Sequence, residues 1–161
     1  KVHNYLYQGS KDLRFKDKSL AWGFEEEGIS NGSSYADLDN DGDLDLISNN
    51  LNEPAGIYEN HSRELLKNNF VKVKFKGEGM NTFGIGAKVI LKTKDGQQLQ
   101  QMMPTRGFMS SVEPMLLFGI GQLSQVDSMI VIWENGLLNK SKKGKAMQTT
   151  EPLFFQSYLK D

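Results

Sequence analysis

From Phe70 to Lys76 the chain reads FVKVKFK, with Val71, Val73 and Phe75 separated by Lys72, Lys74 and Lys76. Side chains on a β-strand point alternately to two faces, so this period of two predicts a strand with one buried and one wet face. Further along, GAKVILKTKDGQQLQQMM puts Val89 and Leu91 on one face, turns at Asp95-Gly96 and returns through Leu99 and Met102. DSMIVIWENG is apolar on both faces from Met129 to Trp133, which suits a central strand, and it closes on an Asn135-Gly136 turn. No segment carries the 3.6-residue pattern of a long amphipathic helix. The best short candidate is HSRELLKNN, one or two turns between Ser62 and Lys67 with Ser62 as the cap. The expected fold class is therefore all-β.

With 161 residues, 38% of them hydrophobic, the chain can form one ordinary domain or two small ones. Its 19 Lys and Arg against 20 Asp and Glu leave a net charge of -1, which gives no general attraction to nucleic acid or to an anionic membrane. The absence of cysteine excludes a disulfide framework, a thiolate zinc site and a cysteine nucleophile. No apolar run is long enough to insert across a membrane, and KVHNYLYQGSKDLRF lacks the apolar core of a signal peptide. NYLYQGSKDLRFKD reads as strand, turn and strand, and GIYENHSRELLKNNF has a similar cadence, like the tail of one repeat followed by a whole one. Repeat arrays bury their faces against neighbours, so the chain is expected to be a piece of a larger parent. A boundary is expected near Asn68 and Asn69. It divides a repeat region, 1–67, from a small antiparallel β-domain, 68–139, with a turn and closing strand or tail over 140–161; the alternative is a long loop within one domain.

The stretch YADLDNDGDLDLISNN gathers negative charge, with Asp37, Asp39, Asp41, Asp43 and Asp45 at alternate positions and Gly42 among them. Like charges so close repel, and they cannot be buried without partners. The D-x-D-x-D-G spacing suits Ca²⁺, a hard cation that takes several carboxylate and carbonyl oxygens, with glycine permitting the bend that turns them inward. An EF-hand needs a bidentate Glu at the twelfth position, where Ser48 stands, and it needs flanking helices, where LDLISNN reads as a strand. The expected form is a hairpin loop, D-x-D-x-D-G-x-x-D, closed by Asp45, with Asp43 offering its carbonyl and turning its side chain to solvent. Mg²⁺ fits less well, because it keeps more water and takes fewer carboxylates. The cation would be structural, a cross-link between two strands. A polar solvated turn is the plain alternative.

SNGSSYADLDNDGDLDLISNN followed by GIYEN resembles an FG-GAP/VCBS repeat, the calcium-binding blade unit of integrin α-type propellers. FKGEGMNTFGIGAKVIL, RGFMSS and FGIGQLSQVDSMIVIWENG, in that order, are similar to the ASPIC/UnbV domain found after such repeats in many bacterial exported proteins. The resemblance implies a partial propeller-type blade followed by a small antiparallel β-domain, in a secreted or cell-surface protein that presents loops to a protein or glycan partner. It implies no reaction, so the chain is expected not to be an enzyme. The competing function is a glycan-binding accessory or part of a carbohydrate-active enzyme.

Other features carry less. The glycines of GIGAKVIL lack the spacing of a phosphate-binding loop and lead into a strand, so they read as turn glycines. Arg106 is a candidate for a carboxylate or sugar contact, or else an internal arginine paired with a carboxylate or carbonyl. His3 and His61 have no nucleophile partner in a recognisable setting. Lys72, Lys74, Lys76, Lys88, Lys92 and Lys94 read as a solvated edge, not a nucleic-acid face, and NKSKKGKAMQ reads as a flexible turn. Trp22, Phe24, Tyr35 and Tyr58 form either an exposed aromatic platform or core.

Overall fold

The structure, a computed structural model, describes residues 1–10, 12–77, 79–142 and 153–158. It is all-β apart from two short helical turns. The first part holds β1 (Val2–His3), β2 (Tyr7–Gly9), β3 (Phe15–Asp17), a 3-10 turn (Leu20–Trp22), β4 (Glu27–Gly28), β5 (Ser30–Ala36), β6 (Asp45–Asn50) and β7 (Gly56–Tyr58). Then come α1 (Ser62–Leu66), β8 (Asn69–Phe75), β9 (Lys88–Thr93), β10 (Gly96–Gln101), β11 (Leu116–Gly121), β12 (Ser128–Ile132), β13 (Leu138–Lys142) and β14 (Leu153–Tyr158). All pairings between these strands are antiparallel.

Two sheets of the second part, ordered β10-β9-β12-β13 and β11-β8-β14, share one apolar core. The period-two pattern builds it. Val71, Val73 and Phe75 from β8 join Leu116, Phe118 and Ile120 from β11. Val89 and Leu91 from β9 and Met129 and Val131 from β12 complete the cluster, together with Ala87, Met102 and Trp133. β12 is central, between β9 and β13, as its two apolar faces require. Gly136, at φ +83°, closes the β12–β13 hairpin, donating to the Trp133 carbonyl at 3.0 Å. In GIGAKVIL the glycines are turn residues: Gly84 lies at φ +60°, and a Cβ there would come within 2.9 Å of the Phe75 side chain.

Several local expectations need correction. The β9–β10 loop is Lys94-Asp95, because Thr93 pairs with Gly96, one residue earlier than the Asp-Gly dipeptide suggests. Leu99 lies across from Ile90 on the outer face and is 63% exposed, whereas Met102 follows the strand and is buried. β8 has β11 on one side and β14 on the other, so its lysines do not mark an edge. Within NKSKKGKAMQ, Asn139–Lys142 belong to β13, which pairs with β12, and 143–148 lie outside the described residues. The strand, turn and strand near the N-terminus appear as β2 and β3, but the cadence is not repeated after β7, where α1 follows.

The first part is built differently. Phe24 is its one buried hydrophobic residue among those described, stacked on Tyr58 at 4.2 Å. Its other buried side chains are Ser19, Asp43, Asp45 and Ser48. Ser19 shows how such a group is satisfied: it accepts the Leu6 N–H at 2.9 Å and donates to Asp17 Oδ1 at 2.6 Å. Within the second part the cost of a truncation follows burial, Phe118 being fully buried and Leu99 exposed. Phe118→Ala is expected to lower the unfolding free energy in urea by about 3–5 kcal/mol, whereas Leu99→Ala should change it by no more than about 0.5 kcal/mol.

Candidate metal centre

The aspartate run forms the loop of the β5–β6 hairpin, which is in register from Ala36 opposite Asp45. Carboxylate oxygens of Asp37, Asp39 and Asp41 all lie within 4.8 Å of one another. Short backbone contacts hold them. Asp39 Oδ1 accepts the Asp41 N–H at 3.1 Å, Asp41 Oδ1 accepts the Asp43 N–H at 2.9 Å, and Asp37 Oδ1 accepts the Gly42 N–H at 3.2 Å. Alternate side chains thus fold back on the loop's own N–H groups, as aspartates in tight turns do.

Asp43 and Asp45 stand outside this trio and brace the loop. Asp45 is buried, and its two oxygens accept the N–H of Leu38 and of Asn60, each at 2.9 Å, tying the loop to the chain after β7. The Asp43 side chain does not turn to solvent. It is buried, and its Oδ2 accepts the Ser62 hydroxyl at 3.1 Å and the Arg63 N–H at 2.8 Å. The start of α1 is therefore capped from across the chain by Asp43, and Ser62 is a donor to that cap, not the cap itself. Burial pushes the Asp43 carboxyl above its ordinary range, against the pull of the Arg63 N–H and the Ser62 hydroxyl, while the charges of Asp41 and Asp45 add to the rise. Its Oδ1 is buried and has no hydrogen-bond partner among the described residues.

Two contacts press the loop onto the second part, and neither could be read from local spacing. Lys72 Nζ donates to Asp37 Oδ2 at 2.7 Å, with side-chain exposures of 13% and 4% for the two residues. Gly42 lies at φ +99°, and a Cβ there would come within 1.8 Å of the Phe70 ring. Glycine is thus needed both for the bend and for the approach to β8. The Arg63 guanidinium lies 4.9 Å from the centre of the same Phe70 ring.

A second seam runs beside β5. Ser34 donates to the Ser111 carbonyl at 2.8 Å, and Ser110 Oγ accepts the Ser33 N–H at 3.1 Å. Arg106 is exposed, and its Nε donates to the Tyr35 hydroxyl at 2.7 Å, so its partner is a phenol and not a carboxylate or carbonyl. The four singled-out aromatics are dispersed: Phe24 on Tyr58, Tyr35 under Arg106, and Trp22 half exposed. His61 is exposed between Glu59 and Glu64, 3.8 and 3.4 Å away, and His3 Nδ1 lies 3.1 Å from the Asn4 carbonyl.

The model of the family described as ASPIC and UnbV matches residues 77–151, beginning just beyond β8. Over a longer stretch the chain is similar to Cartilage acidic protein 1. It is 32% identical to that of Xenopus tropicalis over 116 residues, covering 70% of this chain and 17% of the relative. Against the Mus musculus protein it is 28% identical over 136 residues, 81% of this chain and 20% of the relative, and against the Homo sapiens protein 31% over 116 residues, 70% and 17%. The matched part of this chain thus spans a fifth or less of the length of these relatives.

Gly42→Ala is expected to cost about 2–5 kcal/mol by equilibrium denaturation, combining a positive φ with an overpacked contact. In a Phe70→Ala background the same change should cost only the backbone part, about 1–2 kcal/mol, a coupling that a double-mutant cycle reads directly. Asp43 predicts a pH effect in chelator. Because its folded-state value is raised above 3.8, the folded state keeps a proton that the unfolded state has lost, so stability should fall as pH climbs from 3.8 through the raised value. Asp43→Asn should flatten that part of the pH profile.

Proposed function

We propose that the chain is a calcium-stabilised recognition or scaffold module, the C-terminal part of a larger propeller protein that works outside the cytoplasm. The observation that carries this reading is the trio of Asp37, Asp39 and Asp41, three hard oxygen donors gathered in one hairpin loop. With every pair of these oxygens within 4.8 Å, none is farther apart than the roughly 5.2 Å that two oxygens can span across one Ca²⁺, twice the longest bond length. Asp43 Oδ1, buried and without a hydrogen-bond partner among the described residues, lies outside the trio and is a further oxygen donor two residues beyond Asp41. The trio's oxygens also serve the loop's own N–H groups, so an ion held there acts as a mechanical cross-link of the hairpin.

An extended parent fits both the FG-GAP/VCBS resemblance of the loop and the small share of the relatives that the chain spans. An extracytoplasmic setting fits a Ca²⁺ ligand set and relatives named for cartilage. No helix among the described residues is long and apolar enough to cross a membrane. The second reading, glycan binding, has one specific support. A cleft of about 500 Å³ between β5 and the second part is lined by Tyr35, Arg106, Gln100, Gln101 and Glu113, but it offers a single aromatic face.

Thermal unfolding of the chelated protein, titrated with Ca²⁺ and separately with Mg²⁺, tests the first reading. Ca²⁺ at one hundred times its Kd should stabilise the fold by about 2.7 kcal/mol, Mg²⁺ should do less, and Asp41→Ala should abolish the response. A midpoint indifferent to both ions would leave the run as a solvated turn.

A further inference from the structure

We propose that Lys72 is a built-in counter-cation of the aspartate loop, which sets the loop's affinity for a divalent cation and ties that affinity to the docking of the two parts. This rests on the calcium reading and adds a regulatory residue to the same site. The ammonium of Lys72 lies 2.7 Å from Asp37 Oδ2, and both side chains are largely withdrawn from water. Salt screens such a pair weakly. Among the described residues Asp39 and Asp41 have no lysine or arginine partner, so the one fixed positive charge against the trio comes from β8, 35 residues away in sequence. Its position is rigidly supported. Val71 and Val73 on either side are almost fully buried, and β8 is paired on both edges.

Two opposed consequences follow from charge alone. In the metal-free loop Lys72 offsets the mutual repulsion of the carboxylates and spares Asp37 from being a buried unpaired charge. A divalent ion that enters the trio must then share Asp37 with an ammonium only a few ångströms away, and like charges repel most where water is excluded. Lys72 therefore stabilises the loop without metal and weakens its hold on metal. Because the ammonium belongs to β8, a cation that displaces it also loosens one of the two contacts seating the loop there, while the Gly42–Phe70 contact stays. Occupancy and docking are linked through one side chain.

The test is calorimetric titration of the whole chain with CaCl₂, for wild type, Lys72→Gln and Lys72→Arg, with thermal midpoints measured in chelator and in saturating Ca²⁺. Lys72→Gln should lose midpoint in chelator, recover most of it in Ca²⁺ and show a Kd roughly tenfold lower than wild type, with Lys72→Arg close to wild type. If wild type binds Ca²⁺ and Lys72→Gln binds it no more tightly, or loses the same midpoint in both conditions, Lys72 is only a structural partner and the calcium reading survives. If wild type does not bind Ca²⁺, both fall together. Should Lys72→Gln be unfolded in chelator, refolding driven by Ca²⁺ supports the proposal, and failure to refold in saturating Ca²⁺ overturns it.

Discussion

Five carboxylates within nine residues can be held in one hairpin loop only where each finds a donor or a counter-charge, and that need organises the first half of the chain. Asp39 and Asp41 are met by N–H groups inside the loop. Asp45 is met at the loop's start and again after β7, Asp43 by the beginning of α1, and Asp37 by Lys72 on β8. The path of the chain around the hairpin thus follows from where the negative charge has to be answered. Without these bonds Asp43 and Asp45 would be buried charges with nothing opposing them.

The two halves are consequently held by different forces. The second half joins the side chains of two sheets into one apolar core, the ordinary route to a stable β-domain. The first part, up to residue 67, has one buried hydrophobic residue among those described and relies on hydrogen bonds and ion pairs, which contribute little net stability once exchange with water is counted. It leans on the second half at the Phe70 and Lys72 contacts and at the serine seam beside β5.

What could be read in the sequence was whatever depends on near neighbours. The alternation around Val73 and Val89, the central character of β12 and the turn at Gly136 are local patterns, and all reappear in the structure. The β9–β10 loop was displaced by one residue because Gly96, at φ +142°, sits at the first paired position and not in the loop. Contacts that join distant stretches left no trace in spacing. Lys72 looked like its neighbours Lys74 and Lys76, Asp43 looked like a solvated member of the run, and Gly42 seemed explained by its bend alone. Arg106 was singled out for its planar charge, but nothing in its own vicinity named Tyr35, 71 residues earlier. The one available clue to Lys72 was arithmetic: so much negative charge in a chain of balanced composition needs a nearby cation.

The pairing of β14 with β8 has a consequence for how the chain can be handled and processed. Leu153–Tyr158 run antiparallel to Phe70–Phe75, so the last described strand covers the backbone of the strand that carries Phe70 and Lys72. A protease that cut before Leu153 would remove no residue of the loop, yet it would leave the N–H and C=O groups along one side of β8 without strand partners. The seat of the loop would then lie on an exposed margin open to pairing with another chain. A cut beside β14 would thus be felt at a loop more than a hundred residues earlier in the chain.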